Sequence, residues 1–92
     1  MILKVFSVYD AKACFFSNPV FDQKEASVIR GFCDEVLRED KHNQWNKHPE
    51  DFSLFLLGEF DNETGAIKTH PPVNLITASA AVASASETKV LN

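Results

Sequence analysis

The run Phe52-Ser53-Leu54-Phe55-Leu56-Leu57-Gly58-Glu59-Phe60 constrains this chain more than any other segment. Its density of Phe and Leu reads as a β-strand, and Asp61-Asn62-Glu63-Thr64-Gly65 supplies turn chemistry directly after it. Ala66-Ile67-Lys68-Thr69 then returns as a second strand that Pro71 and Pro72 end, so the segment predicts a β-hairpin. Gly65 is placed for the left-handed position that closes such a loop, where a Cβ would cost energy. Alternation sets Phe52, Leu54 and Leu56 against Ser53, Phe55 and Leu57, which puts large apolar groups on both sides of the strand. One side should meet a helix. The other needs a cover, and a chain of 92 residues has few elements to spare, so a homodimer is expected.

Upstream, Ile2-Leu3-Lys4-Val5-Phe6-Ser7-Val8-Tyr9 reads as a strand covered on both faces. The stretch from Cys14 to Phe21, broken by Pro19, predicts an irregular or edge segment that drops aromatic rings onto the core. Asp22-Gln23-Lys24-Glu25 has the form of a capping box that starts a helix at Gln23. Ala26, Ile29, Phe32, Cys33, Val36 and Leu37 make its buried stripe, and Gly31 in mid-helix suggests the close approach of another backbone. Residues 39–51 read as one long polar loop around Trp45, and Val73–Ile76 as a short final element. The Ala/Ser tail, residues 77–92, has no large apolar stripe to bury and is expected to be frayed or disordered. The expected fold is therefore α+β: a single domain over residues 1–76, with a small sheet from the N-terminal strand and the hairpin packed against one amphipathic helix.

Composition decides mainly what the chain does not do. At 10.3 kDa it is too short for a conventional nucleotide-binding enzyme fold, and its formal charge of −4 opposes phosphate tracking by the molecule as a whole. Gly31, Gly58 and Gly65 are isolated, so no glycine-rich phosphate loop exists. Cys14 and Cys33, nineteen positions apart, fit no metal spacing and are expected to be buried, inert thiols. His42 and His48 stand six apart, outside the usual ligand spacing, and together with His70 are expected to hold no metal. The expectation is a nonenzymatic protein without a cofactor, without a membrane span, in a reducing cytoplasm. One cluster points to chemistry: Arg38, Lys41, Trp45, Lys47 and His48, joined by Lys12, put cations around a ring on which a base could stack. The competing reading is that Trp45 anchors the long loop onto the core.

Two runs carry a resemblance. Lys47-His48-Pro49-Glu50-Asp51-Phe52-Ser53-Leu54 and Gly58-Glu59-Phe60-Asp61-Asn62-Glu63-Thr64-Gly65, with Val5 to Ala13 and the Phe15-Phe16 to Phe21 stretch, resemble the small nonstructural protein of gokushovirus-type microviruses, which are single-stranded DNA bacteriophages. The resemblance covers residues 4–76. It implies a role in genome replication in the host cytoplasm, through single-stranded DNA or through a replication-initiation protein as partner. It carries over no catalytic motif. Trp45 and the Ala/Ser tail depart from the pattern.

Overall fold

The computed structural model describes residues 1–91, with side chains through residue 87; Asn92, the end of the tail, lies outside the described residues. The fold is α+β, as expected. Strand β1, Ile2–Asp10, pairs antiparallel with β4, Phe52–Asp61, and β4 pairs antiparallel with β5, Ile67–Thr77. The outer edge of β1 is shared by two short strands, β2 (Phe15–Phe16) beside Tyr9 and Asp10, and β3 (Val20–Asp22) beside Lys4 to Phe6. Ser17 bridges the gap between them. Its N–H donates to the Val8 carbonyl at 2.9 Å, and its hydroxyl accepts from the Val8 N–H at 3.0 Å. The β1 edge thus stays satisfied where Asn18 and Pro19 cannot continue the ladder.

Asp61 closes the hairpin by accepting on Oδ1 from the Glu63 N–H at 2.9 Å, and Gly65 takes the expected left-handed conformation, with φ of 78°. At Gly58 the need for glycine is steric: a Cβ there would overlap the Lys68 carbonyl. Leu57, just before it, is the extra residue of a bulge, because Val5 pairs with Gly58 while Phe6 pairs with Leu56. Pro71 and Pro72 do not end the second strand. β5 runs through both to Thr77, since it is an edge strand and the prolines fall opposite the bulge, where no ladder donor is required.

Helix α1, Glu25–Leu37, crosses one face of the sheet and buries Phe32 and Val36. No capping box forms: Asp22 belongs to β3, its Oδ1 accepts from the Lys24 N–H at 2.9 Å, and the helix starts two residues later than expected. Ala26 and Leu37 are exposed, and Val28 joins the packed stripe instead. Nor does any backbone approach Gly31, around which a Cβ would meet nothing within 4 Å.

Residues 39–51, expected as a loop, hold a short helix α2, Gln44–Lys47, and a single 3-10 turn, Pro49–Asp51. The larger correction concerns the tail. Residues 78–91 form helix α3, Ala78–Leu91, which packs against α1 and the 3-10 turn. Ala78 and Ala81 are buried in the core with Phe6, Val8, Phe32, Val36 and Leu54. Small side chains let the helix approach closely, so contact with the core rather than a broad apolar stripe holds it. Among the described residues no helix is long and apolar enough to cross a membrane.

Candidate nucleic-acid interface

The six residues singled out by sequence do not form one cationic surface. Arg38 is already neutralised: its guanidinium lies 2.7 Å from Glu35 Oε1 and 2.9 Å from Asp40 Oδ2. The hydrogen bond from Arg38 holds the Glu35 carboxyl below its ordinary 4.5, and a bond from the His42 backbone, seconded by Arg38, lowers that of Asp40. Trp45 is turned inward, its ring centroid 5.2 Å from that of Phe32 and 6.3 Å from that of Phe52. This is the anchoring role, and it removes one face of the indole from any base. Lys41 and Lys47 are exposed, Lys47 closing α2.

Lys12 and His48 do meet. They line one cavity with Gln44, Phe52 and the carboxylates of Asp10, Glu50 and Asp51, so the acids there outnumber the cations. Within it His48, Glu50 and Asp51 bring one ligand atom each to within 4.8 Å of one another, a mixed set of the kind divalent cations accept. Spacing between histidines could not find this set, because its other members are carboxylates brought round by the 3-10 turn.

Asn43, which sequence reasoning passed over, holds the whole segment. Its buried side chain donates from Nδ2 to the carbonyls of Glu35 at 2.7 Å and Arg38 at 2.9 Å, and accepts on Oδ1 from the Trp45 N–H at 3.2 Å. One amide therefore satisfies carbonyls left over at the end of α1 and a donor at the start of α2. Asn46 adds a bond from Nδ2 to the Val36 carbonyl at 3.0 Å.

The surface that stands out lies on the side of the sheet away from the helices. Paired residues share a face and neighbours along a strand alternate, so the register assigns sides directly. Lys4, Phe6, Val8 and Asp10 of β1 face the helices with Leu54 and Leu56, whereas Leu3, Val5, Ser7 and Tyr9 face away. Tyr9 pairs with Phe16, Ser7 with Phe55, Val5 with Phe21 and Leu3 with Phe60, which puts five aromatic rings on the open face. The rings of Tyr9, Phe16 and Phe55 cluster with centroids 4.7, 6.1 and 5.5 Å apart, and those of Phe21 and Phe60 lie 5.5 Å apart. Phe16 and Phe21 keep 38% and 47% of their surface exposed, so the segment from Cys14 to Phe21 does not drop these rings into the core as expected. Every Lys, Asp and Glu in the strands falls on the helix side: Lys4, Asp10 and Asp22, then Glu59, Asp61 and Lys68.

The turn joining β1 to β2 borders the three-ring cluster. Asp10 Oδ1 accepts there from the N–H groups of Lys12 at 2.9 Å and Ala13 at 3.1 Å, and Lys12 is exposed. Cys14 is also exposed, with a φ of 61° that non-glycine residues rarely adopt, which corrects the expectation of a buried thiol. Cys33 is half-buried, and loss of water raises its thiol above the ordinary 9.0, keeping it protonated. Loss of water, with Cys14 and Asp10 nearby, likewise raises the Tyr9 phenol above 10.0, so this ring is neutral at physiological pH.

Comparison with known proteins places this architecture. Protein ORF5 of Chlamydia phage 1 is 36% identical over 63 residues, an alignment covering 65% of this chain and 65% of that protein's length. No solved structure matches the chain. Residues 3–81 match the family described as Phage ORF5 protein, a span that takes in the five strands except for Ile2, with α1, α2 and the start of α3. With the sheet, its open face and the helix that covers the other side all inside the match, the chain belongs to the Phage ORF5 protein family.

Proposed function

We propose that this protein is a nonenzymatic accessory of phage genome replication that binds single-stranded DNA on the open face of its sheet, during single-strand synthesis or packaging. One observation carries the reading: Tyr9 and Phe55, on the two central strands, and Phe16 beside them form an aromatic platform on a face without a charged side chain. Sheets that present aromatic rings on central strands, with helices packed behind, bind unpaired bases by stacking. Each stacked base contributes about 1 to 3 kcal/mol, and any base can stack because every base has a π-face. The membership of the chain in a phage family supports the setting.

The net charge of −4 ceases to be an objection when charge is resolved by face. A nucleic-acid strand lying on the platform meets no carboxylate of the β-strands on it, since these all fall on the helix side. Binding of this kind is driven by stacking rather than by counterion release.

The test is fluorescence anisotropy of a labelled oligothymidylate against the purified chain. Phe16→Ala is expected to weaken binding about tenfold, one lost stacking contact. The double variant Lys41→Ala, Lys47→Ala should stay within about twofold of the parent. Reversal of that ranking would return the site to the α2 segment. The competing occupant of the face is a second copy of the chain; dimerisation by light scattering that Phe16→Ala abolishes, with no oligonucleotide bound, would assign the face to that contact and favour a protein-interaction role.

A further inference from the structure

The aromatic rings of the open face are not spread evenly; they form two separated groups. Tyr9, Phe16 and Phe55 lie toward the β1–β2 turn, whereas Phe21 and Phe60 lie toward the start of β1. The register fixes their spacing: Tyr9 with Phe16 and Val5 with Phe21 are four residues apart on β1, as are Ser7 with Phe55 and Leu3 with Phe60. At about 3.4 Å per residue the two groups stand about 14 Å apart along the strands.

The ground between them is neutral. Val5 and Ser7 are buried, the Ser7 hydroxyl is occupied with the Ser17 carbonyl at 2.7 Å, and Gly58 contributes no side chain. Little of this ground is accessible, and it offers no charged side chain and no free hydroxyl to pair with a base edge.

We infer that the open face holds two base-stacking stations, Tyr9/Phe16/Phe55 and Phe21/Phe60, bridged by one unpaired nucleic-acid strand laid along β1 and β4. This inference rests on the single-strand reading above. A separation of about 14 Å is four steps at the helical rise of about 3.4 Å per nucleotide, so about five nucleotides reach both stations, and fewer do when the strand is stretched. The strand runs along the central strands rather than across them, because both groups straddle β1, with a ring from β2 or β3 on one side and from β4 on the other. Duplex is excluded from such a site, since its bases are already stacked and paired, and base identity matters little because the contact is ring to ring.

The experiment titrates the full chain with the oligothymidylates dT2, dT4, dT6 and dT8. A dT2 cannot span the stations and dT6 can, so affinity should rise about tenfold or more from dT2 to dT6 and change little beyond. Phe21→Leu, which removes a ring from the second station and keeps its apolar bulk, should abolish most of that gain while lowering dT2 binding by about twofold at most, the share of one of two stations; Phe60→Leu is the second variant should the first not fold. Phe16→Ala should weaken every length. Equal affinity for dT2 and dT6, or a length gain untouched by both leucine variants, would overturn the second station while leaving single-strand binding in place. Absence of binding at every length would overturn both.

Discussion

At the scale of single residues, the molecule depends most on groups that look least informative in the sequence. Asn43 lies in a polar stretch where an asparagine suggests only a turn, yet its amide makes three bonds that join α1 to α2. Asn43→Ala removes the bonds to the Arg38 carbonyl and the Trp45 N–H and leaves the Glu35 carbonyl with the Arg38 N–H alone, and should cost about 1 to 3 kcal/mol, read as a lower midpoint in urea denaturation. An unchanged midpoint would mean that water replaces the amide without loss. Gly31 gives the opposite case. Its position in mid-helix suggested a close backbone contact, but nothing lies within 4 Å of a Cβ built there, so the glycine carries only its entropic cost. Gly31→Ala should stabilise by about 0.5 to 1 kcal/mol, and a destabilised variant in the same titration would reveal a contact that the geometry lacks. Trp45 was legible as either a stacking ring or an anchor; only its distances to Phe32 and Phe52 decide for the anchor.

The elements were legible in proportion to how locally they are encoded. Density of Phe and Leu in β4, and the Asp61 to Gly65 turn after it, announce a hairpin because adjacent residues suffice to make one. The ends of elements were harder, since the actual start of α1 and the passage of β5 through Pro71 and Pro72 depend on β3 pairing and on the bulge at Leu57. Helix α3 was least legible. Its alanines announce propensity but not burial, and burial comes from a core assembled by residues many positions earlier. A chain ending at Thr77 would uncover Phe6, Val36 and Leu54 where Ala78 and Ala81 now pack. Its thermal unfolding is expected to lose cooperativity or to shift down by 10 °C or more, on the order of 2 kcal/mol for a domain of this size. A midpoint equal to that of the full chain would show α3 to be dispensable. The candidate site was legible only in its residue types, because assigning Tyr9, Phe16 and Phe55 to one face requires the register of three strands.

On the scale of the whole molecule, the fold separates its properties by layer. Helices, core and the charged residues of the strands occupy one side of the sheet, and neutral aromatic surface occupies the other. Both sheet edges are poor places for a further strand, since Pro71 and Pro72 interrupt β5 and Pro19 separates β2 from β3. What remains open to a partner is the face. Net charge is therefore a poor guide to what this chain binds, and the thermodynamics of binding should reflect the face rather than the total. The most direct measurement is anisotropy of matched single-stranded and double-stranded oligonucleotides at salt concentrations from 50 to about 300 mM, the range over which counterion release is large. Stacking on a neutral platform predicts single-strand binding with a log–log salt slope of about −1 or flatter, and no comparable duplex binding. Equal affinity for duplex, or a slope steeper than about −3, would mean that clustered cations hold the phosphates, and would contradict the account.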